Sequence, residues 1–407
     1  MNFFTGTLIL SLSSLLVSFL NYVVNISIAR FLGPGPYSEL MALFAYLTVL
    51  SAPIAMLSPF LIQKITASDD SRATLSTTVH SFWHLTRRLS LFILLGAIVG
   101  IPLFSRITNL TLVSSGTLFV LLLSSFLLAP YANGLLALKL FSLSAVVQAV
   151  SPILKLLGIL LGVFVLHSLL PVYGGIVLST IGAIIAAHLV LFGRGGTSSP
   201  SNHSVKSQLR RLTRDPFFLI SFVSTLSFLI LNNGDIMFVK RIYASVPAAS
   251  YAGWSLFGKM IYFLAAPVCS SAYIFFASPD KSHKAKQSLL AVGIVLSIVM
   301  TACSYYGYLY LGGWLDGLLF AHKFTAIVGY LPLAGLFGSL YSANFFINGY
   351  FLARKSRFAL LSAGACVVYS ILVVAFGGSS IGAIMQVNIG CSLLLFVASL
   401  FGVWRLH

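Results

Sequence analysis

The dipeptide Asn133-Gly134 returns as Asn348-Gly349, and a basic residue follows each glycine five positions on, Lys139 and Arg354. Ser13, Leu15, Leu20, Asn21 and Arg30 find identical residues, at nearly the same chain offset, in Ser224, Leu226, Leu231, Asn232 and Arg241. Ala52-Pro53 returns as Ala266-Pro267. The 407 residues therefore read as two copies of one unit, each roughly half the chain. Whatever one copy folds into, the other must fold into as well.

Both copies are intensely apolar. Hydrophobic residues make up 58% of the chain and charged residues 8%, against about a quarter charged in a soluble domain. The apolar runs reach the ~20 residues that cross a bilayer. The expectation is an all-α polytopic membrane protein with about twelve spans. They fall near 5–28, 38–62, 89–108, 113–133, 141–164, 170–193, 216–239, 249–277, 288–312, 324–349, 358–376 and 379–403. The main hydrophilic breaks are 63–88, 194–215 and 278–287. The first run has neither a basic flank nor a small-residue cleavage signal, so it reads as a span and not a leader. Cys269, Cys303, Cys366 and Cys391 all lie within apolar runs at no motif spacing, which argues against disulfides and metal clusters.

A net charge of +17 first suggests nucleic acid. The positions of the charges argue otherwise. With the N-terminus inside, seventeen of the 24 basic residues fall in cytoplasmic loops, five in outer loops (Arg30, Arg106, Lys240, Arg241, Lys323), and Lys155 and Lys259 within spans. That asymmetry puts both termini in the cytoplasm, with a secondary attraction to anionic headgroups. No nucleic-acid partner is expected. Six spans per copy is an even number, so both copies insert in the same sense, related by a pseudo-two-fold axis along the membrane normal. The domains expected are an N-lobe over 1–193, a cytoplasmic linker over 194–215 and a C-lobe over 216–407. Within the linker, Val205 to Leu212 reads either as a short amphipathic helix on the inner leaflet or as plain solvated chain.

Polar residues inside the spans recur at helical spacing. In the first span Ser11, Ser14, Ser18, Asn21 and Asn25 share a face; in the seventh Ser221, Thr225, Asn232 and Asp235 do, with Ser224 adjoining; in the fifth Ser144, Gln148, Ser151 and Lys155. A charge at mid-span costs about 2.5–3.5 kcal/mol on insertion scales, so these faces turn inward. For the Ser and Thr positions alone, interhelical hydrogen bonding is explanation enough. Taken together with Lys155, Lys259 and Asp235, the stripes favour a water-filled lumen. Lys155, Lys259 and the span-end Arg30 and Arg241 outnumber Asp235 and Glu39, and a net-positive, low-dielectric cavity holds anions. Arginine in particular suits phosphate oxygens. The competing readings are snorkelling of Arg30 and Arg241 to outer headgroups, an ion pair of Lys259 with a lumen carboxylate, and an interfacial His188.

Enzyme motifs fail. Gly253-Trp254-Ser255-Leu256-Phe257-Gly258-Lys259-Met260 nearly spells a phosphate-binding loop, but it lacks the Ser/Thr for magnesium and any preceding strand. No metal-ligand spacing occurs. With seven acidic residues in the whole chain and no large outer loop, a membrane glycosyltransferase or polymerase is disfavoured. Neither cofactor nor bound metal is expected.

The corner Ala29-Arg30-Phe31-Leu32-Gly33-Pro34 is similar to the A-R-x-L-G-P start of the polysaccharide flippases of the MATE/MOP superfamily, the Wzx-type transporters of lipid-linked oligosaccharides such as O-antigen units. Asp235, Ser250-Tyr251-Ala252-Gly253 and Lys259 resemble that family's second-half corner, and the stretches from Asn133-Gly134 to Lys155 and from Asn348-Gly349 to Arg357 resemble its spans 4–5 and 10–11. The resemblance covers most of the chain. Two departures stand out: Ala244-Ser245-Val246-Pro247 replaces a glycine-rich second corner, and twelve apparent spans replace the fourteen of the peptidoglycan-precursor flippases, which argues against a lipid II flippase. The resemblance implies a multi-pass protein of the bacterial cytoplasmic membrane. It would flip a polyprenyl-pyrophosphate-linked oligosaccharide outward by alternating access, with Asp235 the candidate for ion coupling. The implied partners are the lipid-linked glycan, membrane lipids, a glycan polymerase and glycosyltransferases. A cation-coupled drug or metabolite antiporter of the same superfamily is the alternative, and a non-transporting scaffold for glycan-synthesis enzymes is an alternative of another class.

Overall fold

A computed structural model describes residues 3–66, 71–192, 216–278 and 282–406. Among the described residues there is no strand, and the chain runs through fourteen α-helices. These are α1 Phe3–Phe31, α2 Pro34–Leu50, α3 Ala52–Thr66, α4 Ser71–Arg88, α5 Ser90–Thr108, α6 Leu112–Ala137, α7 Phe141–Leu160 and α8 Leu170–Phe192 in the first half. The second half holds α9 Pro216–Ile242, α10 Ser245–Ala277, α11 His283–Phe320, α12 Leu331–Ala353, α13 Leu361–Phe376 and α14 Ile381–Arg405. Ten of the helices are long and apolar enough to cross a membrane, eleven if the bent pair α2 and α3 counts as one span. The expected all-α, multi-span architecture is present. Inside a bilayer a helix satisfies every backbone donor and acceptor within itself, which is why so apolar a chain takes this form.

The chain divides into two compact units, Met1–Lys206 and Ser207–His407. The expected linker 194–215, with the stretch Val205 to Leu212, lies outside the described residues, as do the side chains of Ser11 and Ser14. The N-unit is centred on α6, which packs on α3, α4 and α8 through Leu75, Val79, Tyr131, Leu135 and Ala183. In the C-unit α12 packs on α10, α11 and α14. Its apolar core is aromatic: Phe276, Phe346, Tyr350 and Phe351 at one end, Phe228, Tyr341 and Tyr369 at the other. Close helix approach depends on glycine. Gly158 of α7 faces Gly175 of α8 so tightly that a Cβ on either would sit 2.5 Å from the other's Cα, and Gly338 of α12 meets the Gly258 carbonyl of α10.

The repeat survives element by element, with two helices of the C-unit each matched by a pair of helices in the N-unit. The C-unit has the unbroken 33-residue α10, whereas the N-unit has α2 and α3 bent by 47°. Ser51 ends α2 by donating its hydroxyl to Thr48 O at 3.1 Å, and Pro53 starts α3 without needing a donor. Ala266-Pro267 sits inside a helix that runs straight through the same pair. Likewise the 38-residue α11 is matched by α4 and α5, which together run from Ser71 to Thr108 with helical hydrogen bonds continuing through Leu89 (Leu89 N to Leu85 O, Ile93 N to Leu89 O). Both rods end on a left-handed residue, Asn109 at φ 61° and Ala321 at φ 54°. The segment 63–88 was expected to be a hydrophilic break. Most of it is helix instead, because its polar residues are interleaved with Leu75, Val79 and Phe82, which α6 buries.

Candidate functional site

The densest polar constellation in the described interior lies within the C-unit. Asp235 of α9 is fully buried. Its Oδ2 accepts a hydrogen bond from Tyr251 Oη of α10 at 2.7 Å, and Asn388 Nδ2 of α14 stands at 3.5 Å. Asn388 Nδ2 also donates to Tyr251 Oη at 2.6 Å. Three helices thus converge on one carboxylate. Asp235 Oδ1, Asn388 Oδ1 and the buried hydroxyl of Tyr369 on α13 have no hydrogen-bond partner among the described residues. A buried carboxylate oxygen with vacant lone pairs costs free energy unless a proton or cation meets it.

Lys259 of α10 reaches across to α9 two residues before Asp235. Its ammonium donates to Asn233 Oδ1 at 2.9 Å. The constellation is therefore carboxylate, phenol, two carboxamides and ammonium on α9, α10 and α14, walled by aromatics. Trp254 stacks on Phe337 with ring centroids 5.7 Å apart and donates Nε1 to Tyr330 O at 2.9 Å, which pins α10 against the start of α12. Below the site Ser224 donates to Asn348 Oδ1 at 3.0 Å and receives a bond from Ser362 at 3.1 Å. The recurring Asn-Gly pair in α12 thereby joins α9, α12 and α13.

The remaining expected residues are placed as follows. Asn232 is buried beside Asp235, and Thr225 is half-buried on α9. Asn21 is half-buried and returns Nδ2 to Val17 O of its own helix at 2.9 Å; Asn25 is half-buried one turn further on. Gln148 donates to Ser144 Oγ at 3.0 Å. Ser151 donates across to Ser179 of α8 at 3.3 Å, so part of the α7 stripe is interhelical hydrogen bonding. Lys155 is half-buried with its ammonium 5.9 Å from the Phe44 ring centroid. Arg30 and Arg241 are exposed at the ends of α1 and α9. Glu39 is tied into the start of α6, accepting from Thr111 N at 2.8 Å and Ser114 Oγ at 2.6 Å, a favourable seat for an anion at a helix N-terminus. His188 meets Tyr131 Oη at 3.2 Å.

Asn388, Asn233 and Tyr369 were not among the residues singled out, and Tyr251 was named only within the Ser250–Gly253 corner, with no role at the site. A second buried carboxylate was also missed: Asp316 accepts from Phe324 N at 3.2 Å and shapes the turn after α11. The two units differ at the site. With Asn232 aligned on Asn21, Asp235 falls on Val24; with Ala266 aligned on Ala52, Tyr251 falls on Tyr37 and Lys259 on Ala45. The repeat keeps the phenol and loses both charges.

No family model and no curated protein sequence matches this chain. Solved structures do. The lipid II flippase MurJ, in an inward closed conformation, superposes with a TM-score of 0.71 at 13% identity, covering 97% of this chain and 87% of that one. An inward-facing multidrug-resistance MATE transporter of the MOP superfamily gives 0.65 at 16% identity, covering 97% and 98%. A eukaryotic MATE transporter gives 0.66 at 15% identity, covering 98% and 95%. These likenesses define the class: a multi-pass, all-α membrane protein. Its fold is shared along nearly the whole chain with a lipid II flippase and with MATE transporters.

Proposed function

We propose that this chain is a transporter that flips a polyprenyl-pyrophosphate-linked oligosaccharide across the bacterial cytoplasmic membrane by alternating access, in the biosynthesis of a surface polysaccharide. The observation that carries the reading is that each unit keeps one cation, Lys155 or Lys259, on a membrane-spanning helix, each beside a helix face carrying carboxamides and hydroxyls. Such groups suit an anionic diphosphate and its sugars. The shared fold with a lipid II flippase supports a lipid-linked substrate over a soluble one. Asp235, with one oxygen unpartnered, is the group proposed to couple transport to a proton or sodium gradient. Lys259 bonds Asn233, two residues from Asp235 on the same helix.

The test is export of surface glycan in a strain lacking its own flippase. Lys155→Gln and Lys259→Gln keep polarity and remove charge, and each should cut export at least tenfold at equal protein level. Unchanged export in the double variant would reduce these cations to charge balancing. Resistance to cationic drugs conferred by the unsubstituted chain would favour the antiporter; one neighbour of similar fold is a multidrug-resistance MATE transporter. No export restored by the unsubstituted chain at normal protein level would favour the scaffold.

A further inference from the structure

The repeat exposes a mismatch on the flank of the N-unit. With Ser71 aligned on His283, the α4–α5 rod and α11 match in length end to end. Their polarity does not match. In α11 the apolar run begins at Leu289, whose counterpart is Thr77. On the α4–α5 rod it begins only at Leu89, twelve residues later, or about 18 Å further along a helix. That is more than half the ~30 Å hydrocarbon thickness. His80, His84, Arg87 and Arg88 stand where α11 has Val292, Leu296, Val299 and Met300.

This polar stretch does not hang free in the cytoplasm. Phe82 stacks on Phe126 with ring centroids 4.7 Å apart, and Phe126 lies about 21 Å along α6 from Leu112, within the apolar span. Trp83 Nε1 donates to Tyr131 Oη at 3.1 Å. Leu75, Val79 and Phe82 bury one face of α4 against the bundle. The opposite face carries His80, His84, Arg87 and Arg88, all exposed, bordered by the exposed Trp83 and Leu85. The helix contains no acidic residue, and the nearest in sequence, Asp69 and Asp70, precede it at the end away from Arg87. Hydrocarbon will not cover two guanidinium groups there, because each would cost about 2.5–3.5 kcal/mol.

We propose that the outward face of α4 is a polar groove in the inner half of the bilayer that seats the phosphate headgroups of inner-leaflet anionic phospholipids. The charge is one-sided, which selects anionic over zwitterionic headgroups. Trp83 is placed at the groove's edge, where an indole favours the headgroup boundary.

The experiment uses the full chain in vesicles of phosphatidylcholine carrying a minor fraction of brominated phosphatidylglycerol or brominated phosphatidylcholine. On the unsubstituted chain, brominated phosphatidylglycerol should quench tryptophan fluorescence at least threefold more effectively. Trp83→Phe should abolish that difference, and Arg87→Gln with Arg88→Gln should bring it close to one. In a cysteine-free background, H80C and H84C should react with a membrane-impermeant maleimide at least tenfold faster than V292C and L296C at the counterpart positions. Equal quenching by the two lipids, or a difference that survives Trp83→Phe, overturns the headgroup seat. Equal labelling rates at the paired positions would mean that hydrocarbon covers α4 and overturns the groove.

Discussion

At the residue scale the molecule turns on how a few polar side chains are housed in an apolar chain. Asp235 could be singled out from sequence because a lone carboxylate in a membrane span demands an explanation. Its partners could not. Asn388 is 153 positions away, and Tyr251 looks like any interfacial aromatic until α10 is laid against α9. Asn233 sits one residue from Asn232, which the repeat had highlighted, and it is Asn233 that takes the Lys259 bond. Tyr251→Phe removes the one short hydrogen bond to Asp235 Oδ2, and it should cost about 1–3 kcal/mol, read as a lowered denaturation midpoint in detergent. Asp235→Asn should behave differently. The amide is neutral and keeps an acceptor for Tyr251, so the fold should hold or gain stability while gradient-driven export falls to background. A variant that melts early and exports normally would make Asp235 a structural residue only.

Elements are set by two devices that the sequence displays unequally. Apolar length is plain to read, and every expected span coincides with a helix or helix pair. Helix continuity is less plain. The segment 71–88 is written in Ser, Thr, His and Arg, so hydropathy alone reads it as loop, and only its burying partners on α6 and α3 make it α4. The break between α2 and α3 was similarly hidden, since the same Ala-Pro pair breaks one helix and not the other. Glycines state their purpose once the helices are paired. Gly174 and Gly175 are neighbours on α8, yet a Cβ on Gly174 meets nothing within 4 Å while one on Gly175 runs into Gly158. Gly174→Ala should therefore be neutral. Gly175→Ala should cost about 1–3 kcal/mol, the range for an overpacked contact. The pair is compared by thermal unfolding of the purified protein, and equal midpoints would mean that α7 and α8 can part without penalty.

For the whole molecule the strongest constraint is parity. The repeat pairs α1 with α9, the α2–α3 pair with α10, the α4–α5 rod with α11, α6 with α12, α7 with α13 and α8 with α14. The proposed topology of six crossings per copy would return the chain to the side where it began and put the termini and the 194–215 segment on one face. The charge pattern would then choose that face, with seventeen basic residues in the loops expected on that side and five on the other. A cysteine introduced at Ser199 should then react with an impermeant thiol reagent only from the cytoplasm, and one at Asn109, on the left-handed turn after α5, only from outside. Both sites are needed, because the parity of α1 to α5 and that of the whole N-unit are independent counts. Exposure of position 199 to the outside would invert the chain against its own charge asymmetry and move the basic face of α4 to the outer leaflet. Exposure of both positions on the same side would mean that one of α6, α7 and α8, the three helices between them, does not cross. The repeat would then survive in sequence and helix length while the two units crossed the bilayer differently, and a shared alternating-access mechanism could not follow from it.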